Sequence, residues 1–498
     1  MHIDNQNAPR MRHFQAFVND APARPGIRWS PILEATAYIT FLMLQAVIIE
    51  LRLLTLDTLI RINTFFLLLL FFSAWKRFRG GMHICFLFLG MLILFQAGRM
   101  VAFTFNPLFG QIADLMDPFQ FVLMREFSFD VARHVAEITM LVIVTSAVCV
   151  YLPCSLRYKP AQLPGPLNPN QMRGLYRIYL GTFPFLLYKN IRYLMFIRSH
   201  GGYLSIYLNR EGLLASVDPV TRLLAFVTGI AFVLIFLFEP SRRRTFWITF
   251  TYFVVSALDL LIGLRGEVFT LLLTLWFINN LKKHKSFRFS RLIIPIFLLV
   301  YLAMISANFR ENQSVQLLSP LGFVAEQGIS MQVTEAVVGF RNEFVRSPSH
   351  YLLIELETPF SGKSQVREPQ GESLAGDLTQ FLSPVAASQG YGTGSSYIAE
   401  SYLFGGFFGV ILLSLLLGWG LSWIHSNSGS IVGGILLAYM TPTFIYLPRT
   451  ALLDPLVLLV KTSAALLLGL PAFYLATKLP KIVLIHETGQ SEGNPGMH

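Results

Sequence analysis

Charged residues make up only 13% of the 498-residue chain, about half the share of an ordinary soluble protein, which argues against several water-soluble domains despite the length. Cysteine is rarer still. Cys85, Cys149 and Cys154 are the only three, each in or beside an apolar run, so neither a disulfide framework nor a cysteine metal site is expected. Glycine and proline, at 36 and 26 residues, are near average, which excludes collagen-like and low-complexity classes. Familiar catalytic signatures are missing as well. There is no GxxxxGK(S/T) phosphate cradle, no HExxH zinc motif and no closely spaced DxD-like pair for a metal-bound nucleotide sugar. The ten histidines never pair at i, i+3 or i+4 within an apolar span, and we expect no metal and no cofactor. A formal charge of +11 does not imply nucleic acid, because apolar runs separate the cations and leave no continuous phosphate-tracking stripe.

What is abundant is hydrophobic sequence, 54% of residues, in runs long enough to cross a bilayer. Lipid offers backbone polar groups no partner, so each such run must be helical. The fold class expected is an all-α polytopic membrane protein with about twelve transmembrane helices. Their predicted limits are 32–51, 58–75, 82–104, 134–152, 176–197, 221–239, 245–263, 266–281, 290–307, 399–423, 430–447 and 453–477. No short apolar core with a small-residue cleavage site occurs in the first 34 residues, so no signal peptide is expected.

Basic residues orient the chain. Placing residues 1–31 in the cytoplasm sends Lys76, Arg77 and Arg79 there too, with Arg157 and Lys159, Arg242 to Arg244, the cluster from Lys282 to Arg291, and Lys478 and Lys481. The organisation expected is a cytoplasmic tail (1–31), nine spans (32–307), one long external loop (308–398), three spans (399–477) and a cytoplasmic tail (478–498). The loop is where function is expected. Gln313–Val345 and Tyr351–Phe360 read as short helices on the membrane surface, and Ser361–Gly394, rich in Ser, Gly, Gln and Pro, as a lid or strap. No internal repeat is visible, which disfavours the repeat-built plan of many transporters.

The outward and intramembrane charges are the candidate site. Arg265 and Glu267 sit in the Gly263-Leu264-Arg265-Gly266-Glu267 hairpin, and Arg449 in Pro448-Arg449-Thr450, followed by Asp454 and Lys461 two helical turns apart on one face. Lys189 and Arg192 share a face in the fifth span, while Arg310, Arg341 and Arg346 flank or lie in the loop. Lysine and arginine near helix ends commonly snorkel, and Glu34 and Glu50 read as structural charges. Several outward arginines together nevertheless fit an anionic, membrane-borne ligand, because guanidinium forks match phosphate oxygens bidentately.

The run Gly392-Thr-Gly-Ser-Ser-Tyr-Ile-Ala-Glu400-Ser-Tyr-Leu-Phe-Gly-Gly-Phe-Phe-Gly409 resembles the late segment of the bacterial O-antigen and oligosaccharide repeat-unit polymerases of the Wzy type. Its Gly405 and Gly409 also read as a GxxxG packing face. Leu264-Arg265-Gly266-Glu267, Pro448-Arg449-Thr450 before Asp454, and Arg310-Glu311-Asn312 are similar to that family's outward arginine positions. The resemblance implies a GT-C-like glycosyltransferase of the bacterial inner membrane, both termini cytoplasmic. It would join undecaprenyl-diphosphate-linked repeat units without a metal, with a flippase and a chain-length regulator as candidate partners. It further implies diphosphate binding by Arg265, Arg310, Arg341, Arg449, Lys189, Arg192 and Lys461, and a carboxylate base among Glu267, Glu400 and Asp454. An O-antigen ligase, a lipid-linked oligosaccharide flippase and a structural assembly partner remain alternatives.

Overall fold

In the computed structural model, residues 31–78, 80, 82–109, 129–200, 209–262, 265–283, 320–343, 350–351, 373–382, 384 and 393–463 are described. Among them there is no strand. The helices are α1 (Pro31–Glu50), α2 (Leu56–Arg77), α3 (Ile84–Gln96), α4 (Gly98–Phe109), α5 (Phe129–Leu156), α6 (Pro169–Ser199), α7 (Arg210–Ala215) and α8 (Pro219–Phe238). They continue as α9 (Arg242–Ile262), α10 (Arg265–Lys282), α11 (Pro320–Gln327), α12 (Ser330–Phe340), α13 (Leu374–Leu382), α14 (Tyr397–Ser426) and α15 (Ile431–Tyr446).

Local chemistry sets the ends. Thr55, Asn168, Asp218 and Ser430 supply side-chain oxygens to the first free amides of α2, α6, α8 and α15. Asn168 and Gln171 bond reciprocally in a capping box, and Pro169 and Pro219 occupy first-turn positions that need no amide. At the other end of α8, the Lys282 ammonium donates to the carbonyls of Phe236 and Glu239 at 3.0 and 3.1 Å. The Asp218 carboxyl, just before α8, is held below its ordinary range by hydrogen bonds from Thr221.

Among the described residues, six helices are long and apolar enough to cross a membrane, or seven if α3 and α4, bent by 73°, count as one broken span. That is fewer than the twelve predicted. Span 290–307 and most of 453–477 lie outside the described residues. The helices α6, α9 and α10 coincide with predicted spans, but α6 carries Lys189 and Arg192 mid-length, α9 opens on three arginines, and the apolar part of α10 is short.

The centre of the bundle is α5, packed against α1, α2, α12 and α14. Its approach to α14 is backbone-close: a Cβ on Gly418 would stand 2.4 Å from the Val150 carbonyl oxygen. Ser146 joins the two helices through the Tyr397 and Ser414 hydroxyls at 2.6 and 2.8 Å. A second group, α6 with α8 and α9, joins the first through α15, which packs on α3, α8 and α10. Glu34 is satisfied by the Tyr38 and Tyr151 hydroxyls, consistent with a structural role.

The described part of the loop departs from expectation at α12. Within Gln313–Val345, α12 does not lie on a surface: Met331, Val333, Thr334, Glu335, Ala336 and Val337 are buried, packed against α3, α5 and α14. Thr334 is tolerated there because the bundle supplies a partner, its hydroxyl donating to Gln96 Oε1 at 2.9 Å.

Candidate functional site

The site begins at the bend between α3 and α4. A Cβ on Gly98 would stand 2.5 Å from the Val324 carbonyl oxygen, and one on Gly328 only 2.4 Å from the Arg99 amide nitrogen. Glycine at both positions lets α4 and the turn after α11 meet backbone to backbone. One residue before the bend, buried Gln96 donates to the Pro448 carbonyl at 2.5 Å, the Ser396 hydroxyl at 3.0 Å and the Ser330 carbonyl at 3.4 Å. One side chain therefore ties the bend to α12, to the start of α14 and to the 3-10 turn Leu447–Arg449 that follows α15.

That turn carries Arg449. Its Nη1 donates to Gln327 Oε1 at 3.1 Å, and its guanidinium lies 5.5 Å from the centre of the Phe95 ring. Among the described residues no carboxylate pairs with it. Glu400, buried in the first turn of α14, accepts the Leu452 amide at 2.7 Å and the Ser395 hydroxyl. The two sides of the Arg449 turn are thus fixed by Gln96 and Glu400. Both Glu400 oxygens are engaged in holding backbone and loop.

The Arg265 hairpin reaches the same place. A Cβ on Gly266 would stand 2.8 Å from the Tyr446 hydroxyl, three residues before Arg449, and α10 packs on α15. The Arg265 and Glu267 side chains lie outside the described residues, as does Arg310.

A third arginine meets α14 at a break. Gly405 and Gly406 leave helical geometry, Gly406 at φ 60°, ψ −146°, a conformation open essentially to glycine. Arg341 Nε donates to the Leu403 carbonyl at 3.2 Å, and its guanidinium lies 5.9 Å from the Tyr402 ring centre. It therefore caps the first half of the broken helix. This revises the GxxxG reading of the segment. Nothing lies within 4 Å of a Cβ on Gly405, and Gly409 closes on the chain's own Ser401 carbonyl.

The remaining predicted cations do not gather here. Lys189 lies 5.5 Å from its neighbour Tyr193's ring centre, and exposed Arg192 donates to the Ser216 carbonyl at 3.3 Å, on a helix packed against α8 and α9. Half-buried Asp454 follows the Arg449 turn directly, and exposed Lys461 forms no ion pair with it. Gln96 and Gln327, which hold the site, were absent from the sequence reading. A lone glutamine carries no periodicity or motif that marks it, although Gln96 in the otherwise apolar run of α3 is an outlier of polarity.

These features define a helical, multi-pass membrane protein whose connecting turns bring arginine and carboxylate side chains to one end of a buried bundle. The chain belongs to the O-antigen polysaccharide polymerase Wzy family, which matches residues 35–470. No curated protein and no solved structure matches it.

Proposed function

We propose that the protein polymerises undecaprenyl-diphosphate-linked oligosaccharide repeat units at the outer face of the bacterial inner membrane. The chain crosses the membrane about twelve times, with both termini cytoplasmic and 308–398 outside, so the end of the bundle bearing Arg449 faces outward. The observation that carries the reading is Arg449. It is a cation fixed in a rigid turn, bonded to a neutral amide and without a described carboxylate partner, which leaves charge for an anionic ligand.

Arg449 and Arg265 hold the carrier diphosphate, with Arg341 and Arg310 contributing from the loop. Asp454 is the preferred base, because both Glu400 oxygens are committed to the turn while Asp454 stands half-buried beside it. The acceptor hydroxyl oxygen attacks the donor's anomeric carbon as Asp454 takes the hydroxyl proton. The bond from that carbon to the diphosphate oxygen breaks, and the undecaprenyl diphosphate leaves with its charge stabilised by arginine rather than metal. Lys189, Arg192 and Lys461 serve peripheral roles at the membrane boundary. A flippase would supply substrate and a chain-length regulator would limit product.

Purified protein supplied with a lipid-linked repeat unit should produce ladders of longer glycans. Transfer only to a lipid A core acceptor would mark a ligase instead, and translocation without bond formation a flippase.

A further inference from the structure

At the end of α3 opposite Gln96, four chemistry-bearing side chains from three helices meet. His83 caps α3, Cys85 is its second residue, Cys154 comes from the last turns of α5, and His425 from the end of α14. All four are buried. One ligand atom each from His83, Cys85 and Cys154 lie within 4.8 Å of one another, and the His425 ring centre is 3.9 Å from that of His83. Ligands on a tetrahedral zinc ion stand about 3.3–3.8 Å apart, given bonds of roughly 2.0–2.3 Å, so the His83, Cys85 and Cys154 atoms must draw together by about 1 Å and the His425 ring must turn toward them.

Buried cysteines alone need no ligand, since a thiol packs like a small apolar group. The imidazoles are different. His83 Nε2 and both ring nitrogens of His425 are buried with no hydrogen-bond partner among the described residues, three polar atoms in one spot whose desolvation no described residue offsets. Phe78 stacks on His83 at 4.4 Å and Tyr158 flanks it at 5.9 Å, which keeps the surroundings dry.

We propose that His83, Cys85, Cys154 and His425 bind one divalent metal ion of the zinc class, in a closed structural site. Two thiols and two imidazoles form the donor set that borderline-soft, tetrahedral ions prefer. Binding releases the two thiol protons, and the start of α3 favours the Cys85 thiolate. Ligation through the orphaned His83 Nε2 moves the ring proton to Nδ1, so the Cys85 amide, which donates to Nδ1 at 3.1 Å in the metal-free protein, turns to the thiolate. The 13 residues of α3 separate this cluster from Gln96 by about 20 Å, so the ion braces the bundle and takes no part in glycosyl transfer.

Full-length protein purified in detergent is titrated with Co2+ as a spectroscopic probe. A single equivalent should develop thiolate-to-metal charge-transfer and tetrahedral d–d absorption, both displaced by Zn2+. Cys154→Ser should lose the spectrum while Cys149→Ser, altering the third buried cysteine, keeps it. A measurement on the parent covers the case in which the Cys154 variant does not fold: Zn2+ should slow alkylation of Cys85 and Cys154 relative to Cys149, read by mass spectrometry. The proposal is overturned by absence of the Co2+ spectrum, by equal loss in Cys149→Ser, by uniform alkylation, or by a Cys85–Cys154 disulfide in anaerobically purified protein.

Discussion

Gly266 lies against the Tyr446 hydroxyl, so closely that a Cβ there would stand 2.8 Å from it. Two turns far apart in sequence, those of Arg265 and Arg449, are thereby neighbours. If both arginines grip one diphosphate, lysine cannot replace either, because a point charge lacks the planar fork. Arg265→Lys and Arg449→Lys should each raise the barrier by about 2–4 kcal/mol, as loss of an oxyanion donor does. The check is ladder formation at matched membrane protein levels. Parent-like rates in either variant would remove the shared-anion idea.

Gln96→Leu keeps the volume and removes every hydrogen bond that the amide makes. The carbonyls of Pro448 and Ser330 and the hydroxyls of Ser396 and Thr334 lose a partner together. We expect a stability loss of about 1–3 kcal/mol in thermal or denaturant unfolding and a larger fall in polymerisation than in protein level. A stable but parent-active variant would mean the Arg449 turn does not need this anchor.

The proposed mechanism makes Asp454 the base and Glu400 the brace. Asp454→Asn should lower turnover by about 10²–10⁴ with substrate binding retained, as expected for a lost general base. Glu400→Gln keeps one acceptor oxygen and should act mainly through weaker binding and lower stability. The reverse pattern in a kcat and KM comparison would exchange the two roles.

The α14 break gives a paired test. Gly406→Ala forces a side chain into φ 60°, ψ −146° and should cost about 1–3 kcal/mol. Gly405→Ala, at negative φ with nothing within 4 Å of the new Cβ, should be tolerated. Equal unfolding midpoints for the two variants would contradict a required break.

Topology is tested without mutating the site. A reporter inserted within residues 361–390 should show external activity. Cytoplasmic activity there would invert the orientation and the face on which chemistry is proposed.

Hydropathy alone located most of the long helices, since α1, α2, α5, α8, α9, α10, α14 and α15 begin and end within a few residues of the predicted spans. It could not separate α3 from α4, because the bend depends on Gly98 meeting Val324, a contact more than 200 residues distant in sequence. Nor could it bury α12, whose Thr334 and Glu335 look like surface residues until the bundle encloses them. The candidate site was legible where charge in an apolar context is costly, as at Arg449 and Asp454. Its neutral anchors, Gln96 and Gln327, were not, because a lone amide costs less to bury than a charge and fits no motif.

The partner that Gln327 offers Arg449 is an uncharged amide from α11, part of the long loop. If Arg449 binds a diphosphate as proposed, the ligand would have no ion pair with a described residue to break, only one hydrogen bond to a charged group, about 1.5–3 kcal/mol, to exchange for stronger ones. In the proposed mechanism Gln327 would act as a placeholder that keeps the guanidinium aimed while no substrate is bound. Its release on substrate arrival would tell the loop that the carrier is seated.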